Sequence, residues 1–239
     1  MSNLKELVQE LHSYANKSQA TILQRFFKTK PGQYGAGDVF LGLKVPLTRR
    51  LALKYSNLDR AGITSLLANK IHEFRLVGLL ILIRQYEIAK DLKTKKAIVD
   101  FYLKNTRGIN NWDLVDLSVY KILGDFLLLE KRALKILNKL VSSKNLWERR
   151  MAMIATFAFI KEGQTTETFR IAKKLLKDEH DLIHKAVGWM LREVGKRVSK
   201  SELLEFLDHH RKIMPRTALR YAIEHLSPAE RKYYLGQKN

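Results

Sequence analysis

The residues most able to do chemistry lie in Asn110-Asn-Trp-Asp-Leu-Val-Asp-Leu-Ser118. On a helix, Trp112, Val115, Asp116 and Val119 share one face, at i, i+3, i+4 and i+7. Three other segments align with this one on a basic or acidic residue followed by apolar ones, and at the place of Asp116 they carry Gly78, Met153 and Gly188. A carboxylate is out of character there. Buried without a partner it is costly; lining a cleft it is a candidate functional group. A structural ion pair with a neighbouring arginine is the other reading of Asp116. Asp113, near the start of the same helix, reads more simply as a first-turn acid favoured by the helix dipole. Trp189 stands where the aligned segments carry Leu79, Leu117 and Ile154. Aromatic faces such as Trp112 and Trp189 beside a carboxylate suit a cationic guest, although tryptophan is more often core.

Other constellations are weaker. His180 and His184 are one turn apart, a spacing that can ligate a metal, but no third ligand is evident, and Asp178 or Asp181 can cap the helix there. His209-His210 reads as a solvated pair. Gly35-Ala-Gly37 completes neither a dinucleotide fingerprint nor a phosphate-binding loop, so no nucleotide cofactor is expected. No metal is expected, and no lysine stands out as a Schiff-base nucleophile. With no cysteine in 239 residues, thiol catalysis, cysteine-ligated zinc, iron–sulfur clusters and disulfides are excluded.

The elements that must position these residues are helices. The chain has 4 Pro and 12 Gly, against about 28 expected from average usage, and no proline between Pro46 and Pro215. Sheet-rich chains need more turn chemistry than this. Leu4, Leu7, Val8 and Leu11 form a first apolar stripe at helical spacing. Helices are predicted over 18–28, 46–55, 59–68, 71–89, 92–104, 112–128, 130–142, 145–161, 164–177, 181–198, 201–210, 214–225 and 228–235. Residues 29–45, with four of the glycines, are the one long irregular segment, and Pro46 can open the helix after it. Arg75, Asp113, Arg150 and Lys185 mark a repeat with steps of 38, 37 and 35 residues, each holding two helices. That period predicts an all-α fold, an α-solenoid of HEAT-like helical hairpins, as a single domain over 1–239.

With 44 Lys+Arg against 24 Asp+Glu the net charge is +20, which points to a polyanionic partner: nucleic acid first, an acidic membrane second. Arg75, Arg149, Arg150, Lys185 and Arg192 fall on the repeated helices and would line a concave basic cleft, and Arg216 and Arg220 share a late helix face. The charge could also serve solubility alone, with long basic side chains lying over a solvated surface. The longest apolar stretches, Leu76–Ile83 and Met151–Ile160, are too short to span a membrane. The charged, amphipathic start lacks the apolar core of a signal peptide, so an intracellular, cytoplasmic monomer is expected.

Taken together, NNWDLVDLS from Asn110, LWERRMAMIA from Leu146, IHKAVGWMLREVGK from Ile183 and MPRTALRYAIE from Met214 resemble the AlkD family of DNA alkylation-repair glycosylases, in the family's order and over about residues 5–235. The resemblance implies a HEAT-like solenoid with duplex DNA in its concave face. It implies that Asp116 is the catalytic aspartate, that Trp112 and Trp189 contact the backbone and sugar of the lesion nucleotide, and that Arg150 contacts the backbone beside it. Arg192 matches a further basic residue of the cleft, and segment 29–45 would contact the DNA backbone. Substrates would be N3- and N7-alkylated, cationic purines, excised without base flipping and without a cofactor to leave an abasic site. A non-catalytic helical-repeat module that binds nucleic acid is the alternative. A solenoid binding an acidic protein would explain the charge but not Asp116.

Overall fold

The computed structural model describes residues 2–236, and the ordered elements among them are helical apart from one parallel bridge between Val39 and Ile71. The all-α, helical-repeat class expected from the sequence is the class observed. Two compact units make up the chain, Met1–Ser118 and Val119–Asn239.

The first unit holds α1 (Ser2–Ser13), α2 (Lys17–Phe26), α3 (Val45–Lys54), α4 (Arg60–Leu67), α5 (His72–Ile88), α6 (Leu92–Lys104), a short 3-10 turn at Thr106–Gly108, and α7 (Trp112–Val119). Side-chain caps set several starts: Asn16, Asp59 and Asp91 accept from Gln19, Gly62 and Thr94 N–H at 3.0, 2.7 and 2.8 Å. Pro46 lies in the first turn of α3, where its missing N–H costs nothing. The Leu76–Ile83 run belongs to α5, which is buried nearly all round against α3, α4 and α6. Each of its Leu and Ile side chains contributes about 1.5–3 kcal/mol by leaving water, which explains an apolar run that is not a membrane span.

Residues 29–45 are irregular, as expected, but tightly held. The buried Glu73 carboxylate accepts the N–H groups of Leu41, Gly42 and Leu43 at 3.0, 2.8 and 3.1 Å. Gly42 has φ 86°, and a Cβ there would lie 2.2 Å from the Asn16 carbonyl oxygen, so only glycine fits.

The second unit opens on a π-helical turn, Tyr120–Gly124. It continues with α8 (Asp125–Leu129), a 3-10 turn at Lys131–Leu134, α9 (Lys135–Val141), α10 (Leu146–Ala155), α11 (Phe157–Lys161), α12 (Thr166–Leu175), α13 (Asp181–Arg197), α14 (Lys200–His210), α15 (Arg216–Ala222) and α16 (Pro228–Gly236). The helix expected over 112–128 runs unbroken from α7 through the π turn into α8, and that turn lies where Gly124 lets backbones meet: a Cβ there would be 2.5 Å from the Ala155 oxygen. The one expected over 145–161 breaks at Thr156, whose hydroxyl bonds back to the Met153 carbonyl at 2.7 Å. Helix α13 packs on α10, α12, α14 and α15. The repeat positions Arg75, Asp113, Arg150 and Lys185 all fall within the first five residues of their helices, α5, α7, α10 and α13. Among the described residues no helix is long and apolar enough to cross a membrane.

Candidate active site and nucleic-acid interface

Helix α7 carries the candidate carboxylate. Val115 and Val119 on its shared face are fully buried, whereas Trp112 and Asp116 are half-buried, so both sit where the packed face meets the surface. Below them Tyr102 is fully buried and lies 2.9 Å from the Ser118 hydroxyl, which itself donates to the Leu114 carbonyl at 2.6 Å. Tyr102 must therefore be the donor of that pair. Burial pushes the Tyr102 phenol far above its usual pKa; the bond to Ser118 lowers it, and the negative charge of Asp116 raises it again. The charge of Asp116 is thus felt inside the unit.

Trp112 is held on several sides. Its ring stacks on Phe27 with centroids 5.5 Å apart and meets the edge of Phe26 at 5.9 Å. Its indole N–H donates to the Tyr34 hydroxyl at 3.2 Å. Tyr34 comes from the irregular segment, which also supplies Phe40, stacked on Phe27 with centroids 5.1 Å apart.

A buried chain of charges lies beside this aromatic group. His72, the first residue of α5, has Nδ1 3.0 Å from Asp38 Oδ2 and Nε2 2.8 Å from Asp113 Oδ2. Asp38 Oδ1 also accepts from Arg75 Nη2 at 2.7 Å, and its Oδ2 from Asn111 at 3.2 Å. Burial opposes a charge on His72, but the hydrogen bonds it donates to Asp113 and Asp38 outweigh it and hold its pKa up at about 9. Burial likewise opposes charge on Asp38, yet His72 and Arg75 keep its pKa below the usual carboxylate range. Phe27 and Phe40 cover the His72 ring at 4.9 and 4.6 Å.

Two expectations are corrected here. Arg75 is buried and committed to Asp38 and to the carbonyls of Asn69 and Lys70, so it is not part of a basic surface. Asp113 is more than a first-turn acid, since it is the partner of a buried histidine.

The second unit places the remaining predicted residues. Trp189 is half-buried, donates to Glu193 Oε1 at 3.3 Å and faces Phe157 at 6.2 Å. Glu193 is buried and also pairs with Arg192 and Arg197; burial raises its pKa, but these arginines bring it below the usual range. Arg192 further bridges to Glu224. Arg149 pairs with Asp178 at 2.6 Å, and Lys185 with Asp181 at 2.7 Å. Arg150 is only 4% exposed and donates to the Leu182 carbonyl. Arg216 and Arg220 are exposed on α15, with Arg216 reaching the Leu235 carbonyl at 2.7 Å. Of the basic residues expected along the repeats, Arg75 and Arg150 are buried, Arg149, Lys185 and Arg192 are paired with carboxylates, and Arg216 and Arg220 are exposed on α15. Gly188 permits close packing, since a Cβ there would lie 2.4 Å from the Ala218 oxygen. Trp147 is core.

The His180/His184 pair serves the helix start. His180 Nδ1 accepts from Leu182 N–H at 3.1 Å, and His184 Nε2 contacts the Asp178 carbonyl, so the cap is His180 rather than an aspartate. Burial keeps the His180 pKa below its ordinary value. Among the described residues no three His, Asp or Glu side chains are placed to hold a metal.

Residues 7–226 match the family model described as DNA alkylation repair enzyme. The chain belongs to the DNA alkylation repair enzyme family. Solved structures share its fold at low identity. An Enterococcus faecalis protein described as a predicted DNA alkylation repair enzyme aligns with TM-score 0.70 and 17% identity, covering 90% of this chain and 97% of its own. AlkD2 from Streptococcus mutans aligns at 0.56 and 18%, covering 88% and 99%. The smu.31 protein of Streptococcus mutans UA159 aligns at 0.54 and 16%, covering 94% and 100%. Curated proteins give no match.

For this member of the DNA alkylation repair enzyme family, sequence reasoning missed Asp38, His72, Asn111 and Tyr34. Asp38, His72 and Asn111 belong to a network assembled across 34 to 73 residues of chain, and no local spacing announces it. One signal was available: between Glu10 and Asp38 the chain has no acid, which makes Asp38 stand out.

Proposed function

We propose that this protein is a DNA glycosylase that hydrolyses the N-glycosidic bond of N3- and N7-alkylated purines in duplex DNA, with the lesion still stacked, and leaves an abasic site. The observation that carries the reading is Asp116, a half-buried carboxylate one turn from a firmly held tryptophan, in a +20 chain of a DNA alkylation repair family.

The chemistry suits that carboxylate. Alkylation at N3 or N7 leaves the purine cationic, so it departs as a neutral base when the C1′–N bond breaks and takes the bonding pair. No acid is needed to protonate it. The sugar becomes oxocarbenium-like, and water adds to C1′, giving its proton to Asp116 and then to solvent. At about 4 Å and an effective dielectric near 20, one carboxylate offers roughly 4 kcal/mol of gross attraction to that cation, about a thousandfold in rate. In this reading Trp112 and Trp189 bear on the sugar and backbone. Arg216 and Arg220 bind phosphates, and Arg149, Lys185 and Arg192 exchange carboxylate partners for them. Arg150, mostly covered, contributes positive charge.

A protein that grips sugar and phosphate rather than the base leaves the base edge free, so selectivity comes from glycosidic-bond lability and lesion charge rather than adduct size. Single-turnover excision on matched duplexes carrying a methyl, a bulky cationic and a neutral lesion such as hypoxanthine tests this. Comparable rates for both cationic lesions and a poor rate for the neutral one are expected. Rates that track size and ignore charge would show a base pocket instead.

A further inference from the structure

We infer that His72 is a positioning residue for the α7 site, clamping the start of that helix through Asp113 and thereby setting the orientation of Trp112 and Asp116. Its consequence for rate rests on the glycosylase reading; its consequence for Trp112 does not.

The geometry argues this without reference to titration. Both ring nitrogens of His72 face carboxylate oxygens, at 3.0 and 2.8 Å. An ionised carboxylate can only accept, so both nitrogens donate and the ring is an imidazolium. Arg75, His72, Asp38 and Asp113 then balance as two cations and two anions. The groups facing His72 are Asp38 from the irregular segment, Asp113 from α7, Arg75 from α5 itself, and the rings of Phe27 and Phe40. Asp113 has one carboxylate oxygen on His72, and its other oxygen is shielded and accepts no hydrogen bond among the described residues. His72 is therefore the group that fixes the Asp113 side chain.

What Asp113 fixes is the first turn of α7. Trp112 precedes it, and Asp116 follows one turn on. Asn111, bonded to Asp38 from the other side, accepts the Trp112 N–H at 2.8 Å. Phe27 covers His72 and stacks on Trp112 as well. Loss of the imidazolium proton would leave one nitrogen lone pair against a carboxylate, and the clamp would open on one side. A histidine serving only to fill the core would leave Trp112 unaffected by its protonation.

The test uses the full chain labelled with 5-fluorotryptophan, which gives one fluorine signal each for Trp112, Trp147 and Trp189; Trp112→Phe assigns the first. In the wild type the Trp112 signal should titrate with a midpoint near 9 while the Trp147 signal stays still. His72→Gln should abolish that titration and move the Trp112 signal by more than its linewidth. Asp113→Asn, which keeps the histidine and the shape of its partner, should also displace the signal, and it serves if His72→Gln does not fold. The wild-type titration requires no variant at all. Single-turnover excision by His72→Gln or Asp113→Asn should fall about 10- to 100-fold with duplex affinity unchanged, as expected for a misplaced reactive group. A Trp112 signal indifferent to pH between 7 and 10 would overturn the inference. Wild-type protein that releases no base while its Trp112 signal titrates would remove the glycosylase reading and leave the clamp standing.

Discussion

The indole N–H of Trp112 donates to the hydroxyl of Tyr34 across 78 residues of chain, at 3.2 Å. This bond ties the irregular segment to the helix that carries Asp116. Residues 29–45 thus have a structural duty: they supply Tyr34 to Trp112, and Asp38 and Phe40 to His72.

Tyr34→Phe removes the acceptor and keeps the ring. The loss is expected to cost about 1 kcal/mol, both in stability and in transition-state binding, or roughly a fivefold drop in single-turnover rate. Thermal denaturation and excision kinetics on the same preparation check both, with affinity for undamaged duplex expected to stay constant.

His72 makes stability depend on pH in a defined direction. Its folded pKa is raised from 6.5 to about 9, so the protonated form is favoured by folding. The stabilisation is whole below about pH 6.5 and is lost as pH rises through about 9. A shift of that size corresponds to on the order of 3 kcal/mol. Urea denaturation from pH 6 to pH 10 should show the wild type losing more stability than His72→Gln, and parallel losses would contradict the assignment.

The fold class and the placing of Trp112 and Asp116 one turn apart on α7 were legible in the sequence because both rest on local spacing. Helical periodicity exposes α1, whose Leu4, Leu7, Val8 and Leu11 form one stripe, and the pairing of Trp112 with Asp116 needs only one turn. The π turn at Tyr120–Gly124 and the break at Thr156 were not legible, because they answer to packing such as that of Gly124 on Ala155. Arg75 shows the same limit from the other side. A basic residue in repeat register reads as surface charge until Asp38, 37 residues away, claims it. Charge totals predict a polyanionic partner, but which arginines remain open depends on acids brought near by folding, as Asp178 and Glu224 are.

Affinity for undamaged duplex should fall steeply with salt, log K dropping by about 0.9 for each phosphate neutralised. Arg216→Ala and Arg220→Ala should each flatten that slope by roughly one contact and leave the three tryptophans undisturbed. Fluorescence anisotropy at several salt concentrations measures it. A slope unchanged in the double variant would place the duplex away from α15.

The most direct measurement compares release of 7-methylguanine from methylated duplex DNA by the wild type and by Asp116→Asn, under single-turnover conditions with duplex affinity measured alongside. The substitution keeps shape and removes charge. Wild-type protein should release the base, and Asp116→Asn should be slower by about a thousandfold, the scale of one lost carboxylate, while binding duplex at least as well. Undiminished release by Asp116→Asn would contradict the assignment of the chemistry to this aspartate.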